Sequence, residues 1–534
     1  MRKTNIETIL FYLIVLAYGL YALVYIYKSS FIVAGERFFV LFDDAMVSMR
    51  YAKNLAEGYG LVWNPGGELV EGYTNPLWVL MMAGFHLLPI PASKMSLVVQ
   101  LSGAGFLIAS LFFIRKIANF LSRDWIVPIF AVLLTAFYSP LNSWGLLGME
   151  VSVLTLIICV SVWIGLKSMQ VGQFSVWIYI LLGISTLIRV DMVVPYVVIL
   201  TFLVVVDTEN RRQNLVWGIS LLAVFLVSQT LFRLWYYGNP LPNTYYLKVE
   251  GYSAFTRIAH GLYVLFLFGW SFNWALFLLP LVIFLFRRDR SIIFVFLVFI
   301  AQVAYSVYVG GDAWEHKGGS NRYISIVMPL FFILFVYAVS LLRDILVINV
   351  QDDSQWVGRL ANIGVVIFLL IAMININTLI DFKSLDRWVL LMNPEFVRGN
   401  QEYVQIAVDL EKITDSEAKI AVVSAGAIPY FSNRYAIDLL GKNDPVIAHK
   451  KPRFTDKITN LELFRPGHTK WDYDYSVGEL RPDVIVQLWG DKKEVRPYLM
   501  TEYKTGRVTG EDGLYYYVLA DSDHILWDMV EIKP

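Results

Sequence analysis

About twelve apolar stretches of membrane-compatible or nearly membrane-compatible length decide what this chain can fold into. They run over 9–27, 76–91, 95–114, 125–141, 146–166, 175–188, 192–206, 215–235, 260–286, 291–309, 324–342 and 360–378. A bilayer core is crossed by about 20 helical residues, and only helices or closed barrels satisfy their own backbone there. The pattern therefore predicts a polytopic α-helical membrane protein. The 57% hydrophobic content, above the usual share for soluble domains, agrees with that. The first stretch lacks a small-residue cleavage site and reads as a retained span rather than a removed signal.

Basic loops set the expected orientation. Arg2-Lys3, Glu209–Arg212 (ENRR) and Arg287–Arg290 (RRDR) mark the cytoplasmic side. Residues 28–75, 236–259, 310–323 and everything after 378 then lie on the opposite face. An inside N-terminus with an outside C-terminus requires an odd number of spans, so about eleven are expected. The weakest are 76–91 and the pair 175–206, which Arg189 and Asp191 interrupt.

Charge divides the chain. Residues 1–390 hold 47 of the 88 charged side chains and residues 391–534 hold the other 41, which is soluble-domain density in the second stretch only. A membrane domain over 1–390 thus precedes a water-exposed domain over 391–534. In the latter, 419–423, 483–488 and 514–519 read as strands, with a turn at 424–426 and a short helix after it, an α/β pattern. Ser424-Ala425-Gly426 lacks the three-glycine spacing of a dinucleotide loop and is discounted as one. Balanced charge, 44 basic and 44 acidic residues, leaves no electrostatic footprint for nucleic acid. The single cysteine, Cys159, excludes an intramolecular disulfide and reads as a core residue. The six histidines show no zinc-ligand spacing.

Four polar patches fall on the expected outer face. In the first, Asp43 and Asp44 precede Arg50 and Tyr51 on an expected amphipathic helix starting near Asp44, with Val47, Tyr51 and Leu55 on one stripe at the membrane interface. One aspartate would suffice as a helix cap, so a second calls for a further role. The next patch is Glu71-Gly72-Tyr73-Thr74-Asn75-Pro76, where proline suits a helix start and Trp78 an aromatic belt. Another is 240–248 (PLPNTYYLK), with Asn243, Tyr245 and Lys248. The last is 310–322 (GGDAWEHKGGSNR), with Asp312, His316 and Arg322. Glu150 and Arg189 lie in apolar surroundings, where a charge is a functional candidate by default. Arg189 and Asp191, two apart, do not share a helix face and are expected to have separate partners. Carboxylates from one loop and cations from others suit general-base work on an anionic, phosphate-bearing substrate.

The segments DDAMVSMRYAKNLAEGYGLVWNPGGELVEGYTNPLW (43–78), LGMEVSVL (147–154), PNTYYLK (242–248), GAIPYFSNRYAIDLLGKNDPVIAH (426–449) and RPGHTKW (465–471) resemble the bacterial class-C (GT-C) polytopic glycosyltransferases. The branch is the one containing the mycobacterial terminal β-(1→2)-arabinofuranosyltransferase. The resemblance implies a GT-C fold and transfer of a sugar, such as arabinofuranose, from a polyprenyl-phosphate donor to a cell-envelope glycan. The reaction would take place on the outer face of the bacterial cytoplasmic membrane, with the C-terminal domain extracytoplasmic. It implies Asp43, with Asp44, as the catalytic pair, and Lys248, Arg322, Arg189 and Arg50 as candidates for the donor phosphate. Tyr51, Glu71, Tyr73, Asn75, Glu150, Asn243, Tyr245, Asp312 and His316 are the candidates for substrate contact. The IRVDM segment departs from the arginine-proline-acid pattern of the family. A leaving monophosphate needs no obligatory metal, though two neighbouring carboxylates leave a divalent ion open. A lipid or polysaccharide transporter, a non-catalytic glycan-binding scaffold and a protein or lipid A glycosyltransferase are the alternatives.

Overall fold

The computed structural model describes residues 2–313, 319–349, 355–379, 381–453 and 464–533. Among these, seven helices are long and apolar enough to cross a membrane: Ile6–Ser29, Ala92–Leu121, Val151–Val171, Arg211–Tyr237, Arg290–Val309, Met328–Val347 and Trp356–Thr378. Two bent pairs, Ile126–Ala136 with Ser139–Leu146 and Ala254–Phe272 with Trp274–Phe286, bring the total to nine if each is one span. Pro76–His86, Trp177–Ile188 and Val190–Val206 are apolar but shorter. These are the stretches read as weakest in the sequence. Long apolar side chains such as Leu16, Leu20, Val224, Leu231, Leu360 and Ile371 stay exposed along these helices. An apolar surface of that extent needs a bilayer to cover it.

The stretch 260–286, expected as one span, is bent by 104°. The break sits at Asn273, whose φ of 72° is left-handed and whose side chain caps the next helix by accepting from Ala275 N at 3.1 Å. Asparagine tolerates that backbone region and caps well, which hydropathy cannot register.

The chain forms two compact units. The first comprises Met1–Lys28, Gln100–Ser228 and Ala254–Pro394, and the second Ser29–Val99, Gln229–Ser253 and Glu395–Pro534. This division differs from the expected one, because the loops at 29–99 and 229–253 cluster with the C-terminal residues.

The first unit is a helical bundle whose core is aliphatic and aromatic. Helix Met328–Asn349 buries Leu330, Phe331, Phe332, Ile333 and Leu334 in succession, as expected for a helix surrounded by others.

The second unit carries a short hairpin, β1 (Phe31–Val33) and β2 (Glu36–Phe38), and a six-stranded sheet. The sheet strands are β3 (Lys419–Val422), β4 (Tyr435–Asp438), β5 (Val484–Ile485), β6 (Tyr503–Val508), β7 (Tyr516–Leu519) and β8 (Val530–Ile532). Their order is β4-β3-β5-β7-β6-β8, parallel at the β4-β3-β5 end and antiparallel beyond it. Helix Ala427–Ser432 connects β3 to β4. The loop helix Asp43–Ala56 packs on that connection and on helix Pro76–His86. It is buried on more than one face, with Met46, Val47, Met49, Tyr51 and Ala52 all enclosed, and so is not a one-striped interfacial helix. Trp78 is likewise enclosed rather than belting a membrane edge.

Candidate functional site

Neither aspartate of the pair caps its helix by side chain. The capping position is Phe42, and Asp43 and Asp44 occupy the first turn, where a carboxylate meets the positive end of the helix dipole. Asp43 Oδ1 accepts from Ala427 N at 2.9 Å. Gly426 is required at that contact. A Cβ there would collide with the Asp43 carbonyl oxygen and come within 2.8 Å of both Oδ1 and Met46 Cβ. The Ser424-Ala425-Gly426 turn after β3 is therefore a cradle for a carboxylate. Gln487 Oε1 fixes it by accepting from Val423 N and Ser424 N, and Ala425 O accepts from Trp63 Nε1. Burial raises the Asp43 carboxyl from 3.8 to about 6, and the neighbouring Asp44 adds to the rise while the Ala427 amide and Lys442 oppose it. A carboxylate near pH 6 is matched to general-base work.

Asp44 is paired. Lys442 Nζ sits 2.7 Å from Asp44 Oδ1. Lys442 is aimed by a loop that Asp438, at the end of β4, organises by accepting from Leu440 N, Gly441 N and Asn443 N. Asn243 clamps the same loop, its Nδ2 donating to the carbonyls of Gly441 (3.0 Å), Lys442 (3.0 Å) and Asp444 (3.3 Å). Asn243, expected to touch substrate, thus holds the lysine that holds Asp44.

His468 completes this cluster, and sequence reasoning did not single it out. Burial lowers it from 6.5 to about 4, and Asp44, Lys248 and Lys442 all act on its charge. Its only signal was its place within RPGHTKW. That segment wraps Lys248: a Cβ on Gly467 would stand 3.1 Å from Lys248 Cε. Lys470 Nζ pins the neighbouring helix by donating to Tyr246 O at 2.8 Å and to Ala448 O at 2.7 Å. Asp43, Asp44, Lys248, Lys442 and His468 together make a compact patch of two carboxylates, two ammonium groups and a neutral imidazole.

The other candidates of this unit are structural in their contacts. Arg50, expected as a phosphate ligand, is buried and donates to oxygens of Trp63, Asn64, Pro429 and Arg434. With no anion among them, burial lowers it to about 9. Tyr51 OH donates to Val70 O at 2.7 Å, and its oxygen accepts from Gly72 N. Glu71 forms a buried ion pair with Arg233 at 2.7 Å. Tyr73 shares a hydroxyl hydrogen bond with Tyr237, and Asn75 Oδ1 accepts from Ser48 Oγ. Tyr245 remains exposed with its ring edge-on to Tyr246.

The first unit has a separate buried charge cluster. Arg189 grips Asp191 with two hydrogen bonds, of 2.8 and 2.6 Å, and lies 3.5 Å from Glu150. The expectation of separate partners fails because Arg189 is not helical. Its φ of −152° and ψ of 127° break the chain between two short helices and bring residues i and i+2 together. Arg322 pairs with Asp312 at 2.7 Å. Tyr323 receives both guanidinium groups, Arg189 at 4.7 Å and Arg322 at 5.7 Å from its ring centre. Both arginines are thus already neutralised by carboxylates. His316 lies outside the described residues. Among the described residues, no three His, Cys, Asp or Glu side chains are arranged to hold a metal ion.

One family model, described as a domain of unknown function (DUF8728), matches residues 395–519. Comparison with curated proteins gives no match. Among solved structures, ArnT from Cupriavidus metallidurans bound to undecaprenyl phosphate is similar with a TM-score of 0.54 and 13% identity, over 96% of this chain and 98% of that one. The Archaeoglobus fulgidus oligosaccharyltransferase AglB, in complex with an inhibitory peptide and a dolichol-phosphate, gives 0.55 and 10% identity, over 98% of this chain and 75% of that one. The apo form of the archaeal enzyme gives 0.55 and 12%, over 98% and 76%. The chain has the GT-C fold of these membrane proteins, with an α/β domain at its C-terminal end.

Proposed function

We propose that this protein is a glycosyltransferase that moves a sugar from a polyprenyl-phosphate donor to a cell-envelope glycan, with Asp43 as the base. The observation that carries the reading is the Asp43 cradle. A fixed carboxylate with its pKa raised to about 6 stands beside an ion-paired second carboxylate in the first turn of one helix. The fold supports it, since ArnT and AglB are transferases caught with undecaprenyl phosphate and dolichol-phosphate.

In this mechanism the acceptor hydroxyl gives its proton to Asp43 as its oxygen bonds to the anomeric carbon. The bond from that carbon to the donor phosphate breaks, and the electron pair leaves on the phosphate. Lys248, half-buried beside Gly467, is the cation assigned to meet that charge, and an ammonium partly shielded from water is worth more there than in bulk solvent. Asp44 and Lys442 orient the approach, while His468 stays neutral at working pH. Arabinofuranose is the proposed sugar, and the reaction is placed on the outer face of the cytoplasmic membrane. The mechanism requires no divalent ion.

The reading is tested by supplying the purified protein in lipid nanodiscs with a panel of radiolabelled polyprenyl-phosphate sugars and membrane glycan extract. Label should pass to glycan from one donor. No transfer from any donor across the panel would reject the reading.

A further inference from the structure

The parallel strands β4, β3 and β5 lie side by side in that order and run the same way, so the segments that follow them leave the sheet at one edge. In open α/β sheets, ligands bind outside such carboxyl ends. The turn after β3 cradles Asp43, and the loop after β4 carries Lys442 to Asp44. The third segment, 487–489 after β5, gives Gln487 to the Asp43 cradle and then presents Trp489.

Trp489 is not explained by packing. Leu488 beside it in sequence and Trp471, which lies against Gly490, both pack on the hydrophobic core of the sheet. Among the described residues Trp489 is not part of that core, and it is half-buried, so some of its ring stays open. It is nonetheless held at three points. Tyr473 OH donates to its carbonyl at 2.6 Å and accepts from its N–H at 2.8 Å, and the indole Nε1 donates to His468 O at 2.9 Å. With its one side-chain donor consumed, the indole has only its ring surface to offer a partner. The His468 ring stands 5.4 Å away, inclined at 54°. His468 in turn feels the charges of Asp44, Lys248 and Lys442. Trp489 therefore borders the site by two routes, through Gln487 to the Asp43 cradle and through His468 to Asp44.

We propose that Trp489, braced by the His468 ring, is the platform on which a sugar ring of the acceptor glycan stacks. The C–H face of a sugar ring fits an indole surface, and a platform fixed in advance loses little freedom when it binds. Reaction takes place at Asp43, so the stacked ring is a neighbour of the reacting one along the chain. The acceptor is then an oligosaccharide of two or more sugars. The role of Trp489 as acceptor platform rests on the transferase reading, whereas its binding of glycan is measurable without transfer.

Purified protein in lipid nanodiscs would be titrated with fragments of one, two and four sugars, released by mild acid from membrane glycan extract and separated by size. Binding is followed by saturation-transfer NMR. Trp489→Ala should weaken binding of the two- and four-sugar fragments about tenfold and leave the single sugar unchanged. Trp489→Phe, which keeps a ring, should bind better than Trp489→Leu, which keeps apolar bulk without one. That pair also decides the matter if the Ala variant does not fold. In transfer assays the loss should fall on the acceptor KM rather than on kcat or the donor KM. Equal binding by the Phe and Leu variants, an equal loss for the single sugar, or a wild type that binds no fragment would overturn the platform. A wild-type acceptor KM in Trp489→Leu would overturn it while the transferase reading stands. Glycan binding through Trp489 in a protein that transfers no sugar would sink the transferase reading alone.

Discussion

Replacing Asp43 by Asn should stabilise the protein at neutral pH while removing its proposed base. Asn keeps an oxygen for the Ala427 amide, so the cradle contact survives. What disappears is a charge held where burial raises its pKa from 3.8 to about 6. At 1.36 kcal/mol for each pH unit, that difference corresponds to about 3 kcal/mol, and residual water contact reduces the expected gain to about 1–3 kcal/mol. The sign follows from proton linkage. Between pH 4 and 6 the native carboxyl holds a proton that the unfolded chain releases, so wild type loses stability as pH rises through that window. The Asn variant does not. Its advantage should be near zero at pH 4, grow through pH 5 and level off above pH 6 to 7. Thermal unfolding of both proteins in the same detergent, in half-unit steps from pH 4 to 8, reads this directly. A difference that stays flat with pH, or a variant less stable than wild type at pH 7.5, would refute the buried-carboxylate argument.

Three other changes probe the supports of the site. Gly426→Ala should cost about 1–3 kcal/mol and displace Asp43, so sugar transfer falls sharply while Gly441-loop contacts persist; transfer rate and melting temperature measured together check it. Asn243→Ala removes the one amide group that donates to three carbonyls of the 441–444 loop and should cost about 1–3 kcal/mol, with the donor KM rising as Lys442 loses its aim. Arg189→Gln strands Glu150 and Asp191 as buried charges and should cost about 3–5 kcal/mol, seen as a large drop in thermal stability. Unchanged melting would contradict the stabilising role given to that buried ion-pair cluster.

Hydropathy and charge density exposed the membrane class, since spans and soluble domains differ in composition over tens of residues. The acidic pair was also visible, because two adjacent carboxylates exceed what a helix start requires. Geometry set by distant partners was not visible. Gly426 looks like an ordinary turn glycine until Asp43, far away in sequence, is placed against it. Arg50 and Asn243 have the residue types of ligands, and only their bonding to backbone oxygens shows that they brace the fold. Arg189 and Asp191 meet because one residue leaves the helix, and a helical wheel assumes that none does. The strands β4 and β8 escaped notice because they are short, and β6 because Lys504, Gly506 and Arg507 break its apolar pattern.

The most direct test of the account is the rate of sugar transfer by Asp43→Asn, measured beside wild type and Asp44→Asn with a donor that wild type accepts. The account predicts a fall of about a hundredfold or more for Asp43→Asn, the scale of a lost general base, with donor binding intact and a smaller effect for Asp44→Asn. Wild-type turnover in Asp43→Asn would contradict it.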